Sequence, residues 1–123
     1  MGYQTDLFGR FDLDKELTRE LEKELIAFSE ERHGGNMDHD PEYPGFWCQW
    51  IPTDDAKGIE WDGNEKFYNY VEWLEVIIEK FLIPNGYVLN GEVQWEGEES
   101  GDLGNIIVKD NVVTVQQGRV VYG

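Results

Sequence analysis

The sequence contains only one cysteine, Cys48, so it can form no internal disulfide. Secreted domains of this size commonly depend on several disulfides, so we expect a reducing, cytoplasmic location. No basic segment followed by an apolar run occurs near Met1, so we expect no secretory signal. The longest mainly apolar stretch, residues 71–83, contains three glutamates and a lysine, which excludes a membrane-spanning helix.

Basic residues are also scarce. Ten lysines and arginines face 26 acidic residues, and the formal net charge is −16. A field of that sign repels nucleic acid and anionic lipid, so we expect no direct binding to either. It favours a basic protein as partner, including the nucleic-acid-binding surface of another protein. The alternative is that the acidity only keeps the protein in solution.

The sequence is nevertheless that of a folded chain. It has 123 residues, of which 40% are hydrophobic and 14% aromatic, enough for a core without disulfides. It contains no internal repeat and no low-complexity segment. We therefore expect one domain over residues 1–123.

Hydrophobic periodicity predicts the elements. Residues 3–13 alternate as a strand, with a break or bulge at Gly9 and one large apolar residue, Phe8, on the polar side. A helix with its apolar face at Leu17–Phe28 begins at Asp14 or Thr18. The further predicted elements are a loop at 36–45, a hairpin at 46–51 and 59–61, a helix from a cap at Asn64 to 81, and strands at 87–96, 106–109, 112–116 and 119–122.

This order predicts an α+β fold with a ferredoxin-like β-α-β-β-α-β core and extra C-terminal strands. We expect both helices to lie on one face of an antiparallel sheet. Such a fold carries many unrelated activities, so function has to be argued from individual residues.

Cys48 is the candidate nucleophile, with His33 or His39 as its base and Asp38 or Asp40 to orient that base. No local signature of a nucleophile surrounds it. A cysteine between two tryptophans on a strand is more typical of inert packing, which is the interpretation we adopt.

The densest group of potential metal ligands lies in the loop after the first helix. The spacing of Asn36, Asp38 and Asp40 resembles the start of a calcium loop, but Pro41 stands where that loop requires glycine. We therefore expect a solvated loop with no metal and no cofactor. The potential ligands are His33, Asp38, His39, Asp40 and Glu42.

Tryptophans and acidic residues are the best candidates for binding. Trp47 projects opposite to Trp50, and Trp73 lies off the main apolar face of its helix, so both are candidate exposed contacts. Carboxylates that could support hydrolysis are Glu60, Asp62, Glu92 and Glu96. A docking surface is predicted from the charges of Glu96, Glu98, Glu99 and Asp102 together with Trp47 and Trp73.

Several blocks resemble a family of small uncharacterised proteins of bacteria and their phages, which has no assigned activity. The blocks are residues 2–7 (GYQTDL), 47–50 (WCQW), 60–63 (EWDG), 65–68 (EKFY) and 90–92 (NGE). The resemblance spans most of the chain. It implies a phage or mobile-element setting, in which small acidic proteins often inhibit host defence enzymes.

Together these features predict a non-enzymatic acidic interaction module that binds and inhibits a basic, nucleic-acid-binding host defence protein. Charge would accelerate association, and a few aromatic side chains would anchor the complex. Two alternatives stay open. One is a binder of a small ligand such as a nucleotide signal, and the other is a hydrolase that uses the carboxylate or histidine clusters. The sequence does not determine the oligomeric state.

Overall fold

A computed structural model describes residues 4–34, 38, 40–64 and 67–118. The elements in chain order are β1 (Thr5–Phe8), β2 (Arg10–Leu13), α1 (Arg19–Glu30), β3 (Trp50–Pro52), β4 (Gly58–Trp61), α2 (Tyr70–Ile77), β5 (Leu89–Gly97), β6 (Leu103–Lys109) and β7 (Val112–Gln117). A π-helical turn at Ile78–Leu82 and a 3-10 turn at Ile83–Asn85 follow α2. The strand predicted at 119–122 lies outside the described residues.

The strands form one antiparallel sheet in the order β3-β4-β2-β5-β6-β7, and β1 also pairs with β5. This confirms the predicted α+β class, the antiparallel sheet and the two helices. The order of the seven strands differs from that of a four-stranded ferredoxin-like sheet. The first predicted strand is divided into β1 and β2, and β6 and β7 extend the sheet beyond β5.

Gly9 divides the first strand without inserting a residue. Its φ of 103° lies in the left-handed region, which glycine adopts at little cost. Phe8 pairs with Gln94 and Phe11 pairs with Gly91, so both strands advance by three residues across the break. A bulge would need an extra residue on one strand. The predicted break is therefore confirmed, whereas the bulge is absent.

The start of α1 agrees with the sequence. Thr18 is the N-cap, and its Oγ1 accepts a hydrogen bond from the amide of Leu21 at 3.2 Å. This bond satisfies one of the amides that have no partner within the first turn of a helix. The helix ends at Glu30, with Glu31 as its C-cap.

The start of α2 was wrongly predicted at Asn64. The amide of Asn64 instead donates to Oδ1 of Asp62 at 2.8 Å, which forms a turn after β4. The helix begins at Tyr70 after Asn69, whose φ is 57°. The side chain of Asn69 donates to the carbonyl oxygen of Pro44 at 2.6 Å and so fastens the preceding loop to the helix.

One hydrophobic core lies between the helices and one face of the sheet. Its side chains come from alternate strand positions and from the apolar faces of both helices, as expected for a sheet covered on one side. None of the described helices has the length and apolar character needed to cross a bilayer. The largest fully buried side chains are Trp50, Trp73, Phe11, Phe67, Leu25, Ile59, Leu74, Ile77, Ile78, Leu82, Leu89 and Ile106.

Candidate functional site

The predicted contact residue Trp47 lines a cleft. Its side chain is 47% exposed, and it precedes β3 by three residues. The cleft has a volume of about 700 Å³, and α1 contributes Ile26, Ser29 and Glu30 to its lining. That volume falls within the usual range for ligand sites.

The charge of this cleft has one sign. Glu30, Asp54 and Asp62 line it, and no lysine, arginine or histidine does so among the described residues. The remaining lining residues are neutral, with Trp47 the largest of them. A cation is therefore the ligand type that this arrangement attracts most strongly.

Hydrogen bonds fix the position of Asp62 in the lining of the cleft. The buried side chain of Gln49 accepts a hydrogen bond from Nε1 of Trp61 at 3.1 Å. The backbone carbonyl oxygen of Gln49 accepts a second one from the amide of Asp62 at 2.9 Å. One carboxylate oxygen of Asp62 is further fixed by the amide of Asn64. These bonds orient the carboxylate before any ligand arrives, which lowers the entropy lost on binding.

Trp73, the second predicted contact residue, is not at the surface. It is fully buried and makes ring contacts with Phe28 and His33, while Tyr43 stacks on it with centroids 5.7 Å apart. Among the residues that the structure describes, its Nε1 has no hydrogen-bond partner. A side chain in this position cannot contact a partner, so Trp73 is removed from the predicted docking surface. The indole packs instead against Phe28 of α1.

The predicted acidic cluster occupies the turn from β5 to β6. Glu96, Glu98 and Glu99 are exposed, whereas Asp102 is half-buried. Oδ1 of Asp102 accepts from the indole of Trp95 at 3.1 Å, and Oε1 of Glu98 accepts from a backbone amide, that of Gln4, at 2.7 Å. Two of the four carboxylates therefore also hold the turn in place.

Trp47 and this turn do not make one compact site. β3 and β5 are separated by β4 and β2, which are three strand spacings of about 4.8 Å each. The distance across the sheet is therefore on the order of 14 Å. A partner that contacts both surfaces must span that width.

The face of the sheet opposite the core is a third exposed surface. Phe8 is 51% exposed there and lies opposite Gln94, and Asp6 lies opposite Glu96 on the same face. Phe8 appears in the sequence as the one large apolar residue on the polar side of its strand.

Sequence reasoning missed Glu30 and Asp54 in the cleft because packing of α1 against β3, rather than a local motif, places them together.

The candidate catalytic residues are unsuited to nucleophilic attack. Cys48 is buried, and this burial raises the pKa of its thiol to about 12, so the thiol stays protonated at neutral pH. His33 is buried too, with Nε2 3.1 Å from the carbonyl oxygen of Phe28. His39 lies outside the described residues, and among the described ones no three histidine, cysteine or acidic side chains group as metal ligands.

Comparisons with models of protein families, with curated proteins and with solved structures find no match to this chain.

Proposed function

We propose that this chain is a non-enzymatic interaction module that binds a basic protein through the Trp47 cleft. The observation that carries the proposal is the cleft itself, whose lining combines the half-exposed indole of Trp47 with the carboxylates of Glu30, Asp54 and Asp62. An arginine or lysine side chain of the partner would enter this cleft.

Two interactions support binding of such a side chain. A cation above the face of a tryptophan gains about 0.5–2 kcal/mol, depending on how far water is excluded. The carboxylates can pair with the same cation, and arginine is favoured because its planar group both stacks and forms paired hydrogen bonds. The net charge of −16 adds a long-range attraction that accelerates the encounter.

The module would inhibit its partner by covering the surface with which the partner binds nucleic acid. A basic patch that binds nucleic acid has the charge that this module attracts, so occupation of that patch would displace the nucleic acid. The resemblance to proteins of bacteria and phages supplies the proposed setting, a phage or mobile-element protein acting on a host defence protein.

The negative charge of the cleft limits which small ligands it could bind. The volume of the cleft suits a small molecule, but its three carboxylates would repel a phosphate, so a nucleotide signal fits poorly. A small cation fits better. The hydrolase alternative depends on carboxylates or histidines. Of those candidates, Glu92 and Glu96 are exposed, and His33 is buried with its Nε2 3.1 Å from the carbonyl oxygen of Phe28.

The proposal is tested by titration with a capped peptide that contains two arginines, followed by calorimetry at low and high salt. We expect Trp47→Ala to weaken binding by about tenfold, which corresponds to about 1.4 kcal/mol. The double variant Asp54→Asn and Asp62→Asn should weaken it similarly. Asp62→Asn retains a side-chain oxygen that can accept the hydrogen bond from the amide of Asn64, so the turn after β4 should persist.

Phe8→Ala is the matched control, because Phe8 is an equally exposed aromatic residue on another surface. It should leave the affinity unchanged. If Phe8→Ala weakens binding and Trp47→Ala does not, the peptide binds the open face of the sheet and the cleft proposal is wrong.

We further propose that the core of the fold is ferredoxin-like once β1 and β2 are counted as one strand. The continuous register across Gly9 supports that count. With it, the two strands connected through α1 are separated by β4, and the two connected through α2 are separated by β2. This is the arrangement of two interleaved split β-α-β units.

A further inference from the structure

The edge strand β7 is an uncharged segment in a highly charged protein. Its six residues, VVTVQQ, include no acidic or basic side chain and no proline. Val112 is 63% exposed and Val115 is 45% exposed. Among the described strands, β7 pairs only with β6. Natural edge strands usually carry charges, proline or a cover that prevents pairing with another chain, so this edge is unusually receptive.

The register of the β6–β7 hairpin determines which backbone groups face outward. The two-residue turn has φ values of 49° at Asp110 and 70° at Asn111, as in a type I′ turn, and the amide of Gly118 donates to the carbonyl of Leu103 at 2.7 Å. Bonded and non-bonded pairs alternate along such a ladder. The N–H and C=O groups of Val113, Val115 and Gln117 therefore point away from β6.

Acidic side chains of α2 and the turn after it face this edge. One hollow of about 290 Å³ is lined by Glu75 and Glu79 together with Val113. A second, of about 270 Å³, is lined by Glu72 together with Val115. We call these hollows and the adjoining strand edge the β7–α2 groove.

These glutamates form no ion pair in the described part of the chain. Glu72, Glu75 and Glu79 are all exposed. Each hollow lies at or below the lower end of the volumes typical of small-molecule sites, but each can hold a single long side chain. In an added strand every second side chain points to the same face, so alternate residues would enter the groove.

We propose that the β7–α2 groove binds an extended basic segment of a partner protein by strand addition. The segment would pair with the outward backbone groups of β7, and its alternate lysine or arginine side chains would lie against Glu72, Glu75 and Glu79. Backbone pairing gives affinity in this mode, and the side-chain hollows give selectivity. The inference rests on the proposed function only for the cationic character of the partner. The groove lies at the opposite edge of the sheet from β3 and the Trp47 cleft.

A second copy of this chain fits the same edge less well. Antiparallel pairing of two β7 strands creates a twofold axis through the sheet, which places both α2 helices on the same face. Six glutamates would then line one seam between two chains that each carry a charge of −16. A basic segment neutralises those carboxylates, whereas a second copy doubles them.

The probe is a short capped peptide of alternating lysine and valine. Its matched control is the same peptide with N-methyl groups on the amides that face β7, which keeps the charge and the side chains but removes the hydrogen bonds. We expect the first peptide to slow hydrogen exchange at Val113, Val115 and Gln117, and the control to bind at least about tenfold more weakly.

Two variants separate the backbone from the charges. Val115→Pro removes an outward N–H without removing a bond to β6, and it should reduce binding as strongly as N-methylation does. If it fails to fold, the pair Glu75→Gln and Glu79→Gln serves instead, and it should weaken binding about tenfold and flatten the salt dependence. Thr114→Ala leaves every backbone group in place and changes only a side chain on the opposite face of β7 from Val113 and Val115, so it should bind within about twofold of the native protein.

The outcomes distinguish this inference from the proposed function. Trp47→Ala should leave binding of the lysine–valine peptide unchanged, and Val115→Pro should leave binding of the arginine peptide unchanged. Equal binding of the N-methylated peptide, or no protection of the three amides, would overturn strand addition at β7. A dimer by analytical ultracentrifugation that Val115→Pro dissociates would also overturn it, since the edge would then be occupied by a second copy.

Discussion

The indole of Trp95 in the core donates a hydrogen bond to Oδ1 of Asp102, 3.1 Å away. The bond closes the turn between β5 and β6, and the amide of Gly97 donates to the carbonyl of Asp102 at 2.7 Å in the same turn. A carboxylate predicted to contact a partner therefore also has a structural role. The two roles can be separated because only one of them requires a charge.

Asp102→Ala should destabilise the protein by about 1–3 kcal/mol, because it leaves a largely buried indole N–H without its acceptor. Asp102→Asn retains an oxygen at the same place and should cost about 1 kcal/mol or less. Urea unfolding monitored by tryptophan fluorescence measures both. Equal stability of the two variants would show that the bond to Trp95 contributes little.

Alternation and capping chemistry predicted most elements of this fold. The alternating pattern of residues 87–96 matches β5, and Thr18 caps α1 as its side chain predicts. Both signals are local, since each depends on neighbours within a few residues. The end of α1 and the start of α2 were less predictable because bonds distant in sequence, such as that from Asn69 to Pro44, determine where the helix begins.

The candidate site was predictable only in part. Trp47 is exposed as predicted, but the predicted strand over 46–51 is not formed at this residue, since β3 begins at Trp50. Burial of Trp73 depends on Phe28 and Tyr43, which lie far from it in sequence, so the helical pattern alone did not reveal it. The grouping of Glu30 with Asp54 likewise depends on packing between separate elements.

Cys48 should be inert in the folded protein. Its thiol is buried, which raises its pKa to about 12, so neither access nor ionisation favours reaction. A thiol reagent at pH about 8 should modify it only at the rate of unfolding. Cys48→Ala should cost about 1–2 kcal/mol of stability and leave binding of the arginine peptide unchanged. Rapid modification of the native protein would contradict this.

Asp55 should make the free energy of unfolding depend on pH in the acidic range. The hydroxyl of Thr53, then the amide of Lys57 and the side chain of Arg10, donate to its carboxylate and lower its pKa from 3.8 to about 2. Because the folded pKa is depressed, the stabilisation is present above the unfolded pKa near 4 and is lost as the pH falls towards 2.

Asp55→Asn should therefore remove part of the decline in stability between pH about 4 and pH about 2. Asp54→Asn is the control, because Asp54 is a neighbouring acid that accepts none of these bonds. Denaturant midpoints across this pH range, together with an NMR titration of the carboxyl carbon, provide the measurement. An unchanged pH profile in Asp55→Asn would rule out this contribution.

Gly104 should not tolerate a side chain. A Cβ at this buried position would overlap the six-membered ring of Trp95 and the carbonyl oxygen of Gln116, so two neighbouring strands would have to move. Gly104→Ala should cost about 1–3 kcal/mol or more and alter tryptophan fluorescence. The control is Gly63→Ala, where a Cβ meets no atom of the described residues within 4 Å and the cost comes from a φ of 83°. That strain amounts to about 1–2 kcal/mol. Similar losses with no change in fluorescence would contradict the packing argument.

The charge of the β5–β6 turn should govern how fast a basic partner associates. Glu96→Lys combined with Glu99→Lys makes the net charge less negative by four units while leaving the bond between Glu98 and Gln4 intact. Lysine at position 96 lies opposite Asp6, so it replaces a like-charge pair with an opposite one and should not unfold the sheet.

We expect the double reversal to weaken binding of an oligolysine peptide by about 1–3 kcal/mol, mainly through a slower association rate at low salt. Stopped-flow measurements at several salt concentrations should show a shallower dependence than in the native protein, because screening then has less attraction to remove. Glu98→Gln is the control for the turn itself, since glutamine keeps an acceptor for the amide of Gln4. If the acidity serves only to keep the protein in solution, the double reversal will leave both the rate and its salt dependence unchanged. The carboxylates of the turn would then be excluded from the docking surface, and the Trp47 cleft and the β7–α2 groove would have to account for binding.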